Sequence, residues 1–169
     1  MPTISEVELD QATSANALNA PIGAILQIAD TNGNPVLVMR SGFPAGHDIQ
    51  APFIVPLEGP QTGLLVTQDA EIPAIDLTNA YDLLLADPAP VFLQAHQIFI
   101  GMTIEGHIRG MKVLFLACGF PPKLTGQSRP DHFVVLRETD QLQRGVIAEP
   151  AGPFLHMGRV IGRSRQHAQ

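Results

Sequence analysis

The sequence predicts a mainly β protein: a single antiparallel β-sandwich or barrel domain with an N-terminal arm and at most one short helix. Three observations carry that expectation. Proline and glycine each occur 15 times, and proline both removes a backbone donor and breaks a helix interior, which disfavours a helical bundle. Short runs rich in Val, Ile and Phe recur between turn signals, the pattern of an antiparallel sandwich or barrel. Long amphipathic segments between those runs, the mark of a doubly wound α/β fold, are missing from the sequence.

Read in order, residues 1–20 are an arm, 21–162 the β domain and 163–169 a basic C-terminal tail. The arm is rich in Thr, Ser, Ala, Asn and Gln. Its scattered Ile4, Val7 and Leu9 are too few to hold it down alone, but they can pin it to another surface. Residues 24–30 and 35–40 then form a hairpin, because Asn32-Gly33 between them supplies the positive φ angles of a tight turn. The same loop, Asp30-Thr31-Asn32-Gly33-Asn34, opens like a calcium loop. Its sixth position is Pro35 in place of glycine and its twelfth is Ser41 in place of glutamate, so the match fails where geometry is strictest.

Residues 41–60 carry Pro44, Pro52, Pro56 and Pro60, a density that predicts an ordered loop or edge segment and not a central strand. Residues 63–68 are strand-like. The stretch 78–87 fits a short helix capped by Thr78 or Asn79 and a strand almost equally well. Residues 91–120 form the most β-prone block and are expected to supply central strands, with Gly101, Gly106 and Gly110 as bend points. After a proline-glycine loop at 121–130 come strands at 132–138, 145–149 and, last, 154–162.

The charge of −6 is unevenly spread. Residues 1–88 hold eleven acids against one base, Arg40, whereas residues 89–169 hold five acids against nine bases. Such halves can neutralise each other within one fold or between copies of it. An acidic balance, no Trp and one Tyr make nucleic acid an unexpected partner, because single-strand binding needs aromatic platforms beside basic residues. Cys118 is the single cysteine, which excludes a disulfide framework and a cysteine-based zinc site. The first residues lack the basic and apolar regions of a secretory signal, and no apolar run approaches 18 residues. The expectation is a cytoplasmic, non-secreted protein without a membrane span, and with a virion as its destination if it is a capsid component.

Candidate chemistry is sparse. No GxGxxG is present, and Gly158–Ser164 is a poor phosphate loop with Arg163 in the lysine position. Glu105 and His107, two apart, share a strand face, and His96 lies upstream; together they are the alternative metal set. Cys118 with His132 is a weak nucleophile pair, since a cysteine after five apolar residues is usually a buried small hydrophobe. His47-Asp48 and Asp131-His132 sit in proline-flanked loops. The expected function is therefore non-enzymatic: a structural or interaction protein acting through homo- or hetero-oligomeric assembly, as a homo-oligomer or shell protein, in character like a small virion component such as a capsid decoration protein. Its expected assembly contacts are Ile4, Val7, Leu9, Arg159, Arg163 and Arg165, with no cofactor. The alternative is a small β-barrel metal enzyme or ligand binder using His96, Glu105 and His107.

Overall fold

The computed structural model describes residues 13–16, 19–30, 32–49, 52–67, 72–79, 81–86 and 91–164. The first sheet contains β1 (Thr13–Asn16), β2 (Ile25–Ala29), β3 (Pro35–Ser41), β4 (Phe53–Pro56), β5 (Val66–Thr67) and β6 (Pro73–Asp76), in the order β1-β6-β2-β3-β4-β5. The chain leaves it through β7 (Tyr81–Ala86). The second sheet contains β8 (Val91–Leu93), β9 (Thr103–Ile108), β10 (Met111–Cys118), β11 (His132–Val135), β12 (Ile147–Ala148) and β13 (Ala151–His156), in the order β12-β11-β10-β9-β13-β8. The last strand, β14 (Arg159–Ser164), pairs with β7 as a separate ribbon. All the strand ladders are antiparallel. The two main sheets form an antiparallel sandwich that does not close into a barrel, and no α-helix occurs among the described residues.

The β2–β3 hairpin forms where Asn32-Gly33 places it, with Gly33 at φ +81°. Asp30 organises the turn: its Oδ1 accepts the amides of Asn32 at 2.8 Å and Asn34 at 2.9 Å. The alternating Asp and Asn residues thus serve the turn itself.

Several expectations are revised or resolved. Residues 53–56 are not a loop or edge but a fully buried strand between β3 and β4's other neighbour, β5. The prolines are tolerated because of hydrogen-bond parity. Leu57 donates to Leu37 at 2.9 Å, so odd-numbered residues of β4 bond β3, and Pro56 turns its donorless nitrogen to the other side, beyond the end of β5. The stretch 81–86, which fits a helix and a strand almost equally in sequence, is a strand. Leu83 and Leu85, two apart, both pack against the central core, which is strand periodicity. The expected final strand 154–162 is also divided: the chain turns at Gly158, φ +92°, and passes from the second sheet into the ribbon. Thr13–Asn16, within the stretch read as an arm, pairs with β6.

Side-chain alternation builds three apolar layers. Leu37, Met39, Phe53 and Val55 of the first sheet meet Leu116, Cys118 and Val134 of the second in the central core. Leu26, Val38 and Ile54 occupy the opposite face of the first sheet. Ile104, Val113, Phe115 and Ala117 occupy the opposite face of the second, beneath Ile98 from the β8–β9 connection. Burial on both faces explains why β10 reads as a nearly unbroken apolar run.

Two short parallel bridges lace the sheets together, Gly42 to Val146 and Leu64 to Gly119. At the first, Gly145 has φ +91°, and a Cβ there would lie 2.6 Å from both Arg40 O and Gly23 N. Only glycine permits that approach. Ser41 Oγ donates to Gly145 O at 2.7 Å, and Arg144 Nε donates to Gly23 O at 2.9 Å.

Candidate functional site

Glu105 and His107 do share one face of β9, together with Thr103. That face is set by register: opposite Thr103 and Glu105 on β10 stand Leu116 and Leu114, both of the central core layer. The row runs from the buried Thr103 to the half-buried Glu105 and His107. Thr103 is fully buried, and its Oγ1 and the buried His107 Nδ1 have no hydrogen-bond partner. His96 lies elsewhere. It is exposed on the 3-10 turn Ala95–Gln97, in the connection that leads to Ile98 of the outer apolar layer. His96 and the Glu105–His107 pair thus sit on separate elements, the 3-10 turn and β9. Among the described residues no three His, Cys, Asp or Glu side chains are grouped to hold a metal.

Cys118 and His132 are direct register partners on β10 and β11, but the thiol is sealed. Cys118 is wholly buried, its Sγ donates to Leu116 O at 3.2 Å, and burial pushes its pKa up. A nucleophile needs the thiolate, which this environment opposes. His132 packs edge-on between Phe43 and Phe120, with centroids at 5.7 and 5.3 Å. Phe43 in turn stacks on His47 at 4.1 Å, while Asp131 pairs with Lys123 at 2.5 Å. These loop residues pin the corner where the β3–β4 and β10–β11 connections meet. Arg40, half-buried, donates through its guanidinium to the carbonyls of Ser41 and Phe53, and desolvation lowers its pKa.

A cavity of about 410 Å³ opens between β2 and β6. Its origin is local: β2 and β6 pair only at Leu26–Asp76 and Gln27–Ile75, and the next pairing would need a donor from Pro73, which has none. Gln27, Ile28, Ala29, Pro73, Ala74 and Ile75 line it together with Gly33 and Pro35, so the described residues offer it no titratable side chain for chemistry.

The most conspicuous surface feature is β8. It ends the second sheet, and Val91 and Phe92 on it are 59% and 73% exposed. Register places Phe92 beside Leu155, on the Glu105 face, and Val91 beside His156, on the Ile104 face. Among the described residues the strand thus exposes an apolar side chain on each face, while Leu93 packs against the outer apolar layer of the sheet. Sequence reading put these residues in a central strand. The signal that marks them as an edge is brevity, since Pro88 and Pro90 precede a run of only three residues.

Of the expected assembly contacts, Arg159 and Arg163 lie on β14, opposite Ala86 and Asp82 of β7; Ile4, Val7, Leu9 and Arg165 lie outside the described residues. The charge division follows the sheets. Residues 13–76 carry six acids against one base, and residues 91–156 five acids against six bases. No helix among the described residues is long and apolar enough to cross a membrane. No family model, curated protein or solved structure matches the chain.

Proposed function

We propose that this is a non-enzymatic structural or interaction protein that works by associating with further subunits, of the kind found as small virion components such as capsid decoration proteins. One observation carries the proposal: a terminal strand with large apolar side chains exposed on both faces. A monomeric surface rarely leaves such an edge uncovered, because unpaired backbone groups flanked by apolar side chains template pairing with another chain. The layering of charge supports it, since an acidic sheet backed by a near-neutral one gives each copy unlike faces. The alternative built on His96, Glu105 and His107 is not carried forward, because among the described residues no three His, Cys, Asp or Glu side chains are grouped to hold a metal.

Sedimentation of the purified protein from about 10 μM to about 1 mM, at low and high salt, tests the proposal. The expected result is a mass that rises with concentration. A protein that stays monomeric across the range, in both salts, overturns it.

A further inference from the structure

We infer that β8 is the seam of a two-fold contact in which β8 of a second copy of this chain pairs antiparallel with it, Phe92 opposite Phe92. The inference rests on the assembly reading above and names its partner and register. Three features of the strand select a second copy as the occupant. First, the segment 91–98 holds no Asp, Glu, Lys or Arg, so like copies meet without charge repulsion. An edge guarded against self-pairing normally carries such a charge. Second, the strand has three residues with Phe92 at the centre. Antiparallel pairing about that centre puts Val91 opposite Leu93 of the other copy, so the contact is self-complementary and needs no second surface. Third, apolar groups stand on both faces, as in a strand that lies inside a sheet.

The size of the contact sets its strength. At 73% exposure, Phe92 offers about 150 Å², and Phe92 with Val91 from two copies comes to about 500 Å². That is below the roughly 1,000 Å² of a stable independent interface. The seam is therefore weak alone and becomes firm only when further contacts act with it, which suits one of several joints in a shell.

The register is tested by cross-linking. In the Phe92→Cys variant the two introduced thiols face each other across the two-fold axis, within the Cα separation a disulfide spans. Cys118 is buried and does not compete. Under mild oxidation this variant gives covalent dimers at least about tenfold faster than Val91→Cys, whose thiols sit diagonally. Phe92→Glu, measured by sedimentation beside the wild type, weakens self-association by about tenfold or more while its far-ultraviolet dichroism stays native. If the wild type associates but Phe92→Glu associates equally well and Phe92→Cys shows no preference over Val91→Cys, the seam is wrong and assembly uses another surface. If the wild type does not associate at all, the broader reading fails with it.

Discussion

Replacing Gly145 by alanine isolates the cost of crowding at the first of the two bridges between the sheets. Two penalties combine. The positive φ of +91° costs a non-glycine residue about 1–2 kcal/mol. The new methyl would also lie 2.6 Å from Arg40 O and Gly23 N, and neither can retreat freely: Gly23 donates to Arg40 O at 2.8 Å, and Gly145 donates to Val135 O at 2.8 Å. Relief requires giving up one or two of these bonds, at about 1 kcal/mol each or more when a buried group is left unpaired. The expected total is about 3–4 kcal/mol. Gly33→Ala supplies the internal control, because Gly33 has φ +81° but nothing within 4 Å of its would-be Cβ, so only the conformational penalty applies. Urea unfolding of both variants reads the difference. With a slope of about 2 kcal/mol per M, Gly145→Ala lowers the midpoint by about 1.5–2 M and Gly33→Ala by about 0.5–1 M. Equal shifts for the two variants would falsify the claim that crowding at the bridge, and not φ alone, fixes glycine there.

Thr103→Val keeps the shape of a fully buried side chain while deleting a hydroxyl without a partner; thermal unfolding is expected to show a gain of about 1 kcal/mol, and a loss of that size would mean the hydroxyl is satisfied. Asp30→Ala removes the acceptor of two turn amides and is expected to cost about 1–2 kcal/mol in urea unfolding, with Asp30→Asn retaining much of it. The raised pKa of Cys118 makes stability pH-dependent in a definite direction. The thiol stays protonated when folded but ionises when unfolded above about pH 8.5, so stability is complete below that pH and falls by up to about 1.4 kcal/mol per unit above it. Cys118→Val should lack this part of the slope between about pH 8.5 and 10.5, and an identical slope in both proteins counts against the assignment.

How far the sequence reaches depends on whether the cause of a feature is local. The β2–β3 hairpin is legible because Asn32 and Gly33 answer a backbone requirement in place, and β10 because burial on both faces leaves an apolar run. Strand β4 is not legible. Whether Pro56 blocks a ladder depends on which way its nitrogen points, and that is set by pairing with β3 some 18 residues away in register, Val38 opposite Pro56. The choice between helix and strand at 81–86 is likewise made by a partner from the far end of the chain, β14. In the site, spacing alone placed Glu105 and His107 on one face, but not which face, nor that Thr103 joins them. The exposed position of Val91 and Phe92 follows from strand order, a property that no window of sequence contains.

The lacing of the sheets has a consequence for how the chain is made. Ile22 and Gly23 receive hydrogen bonds from Gln143 and Arg144, each 121 residues further on, and Ser41 finds Gly145 across 104. At roughly 5–20 residues per second the first sheet waits on the order of ten seconds on the ribosome before its closing partners exist. During that interval Leu37, Met39, Phe53 and Val55 lack the layer that covers them. Nascent chains should therefore depend on holding by chaperones until about residue 150 has emerged. Truncations that stop after β7 are expected to aggregate where the full chain folds.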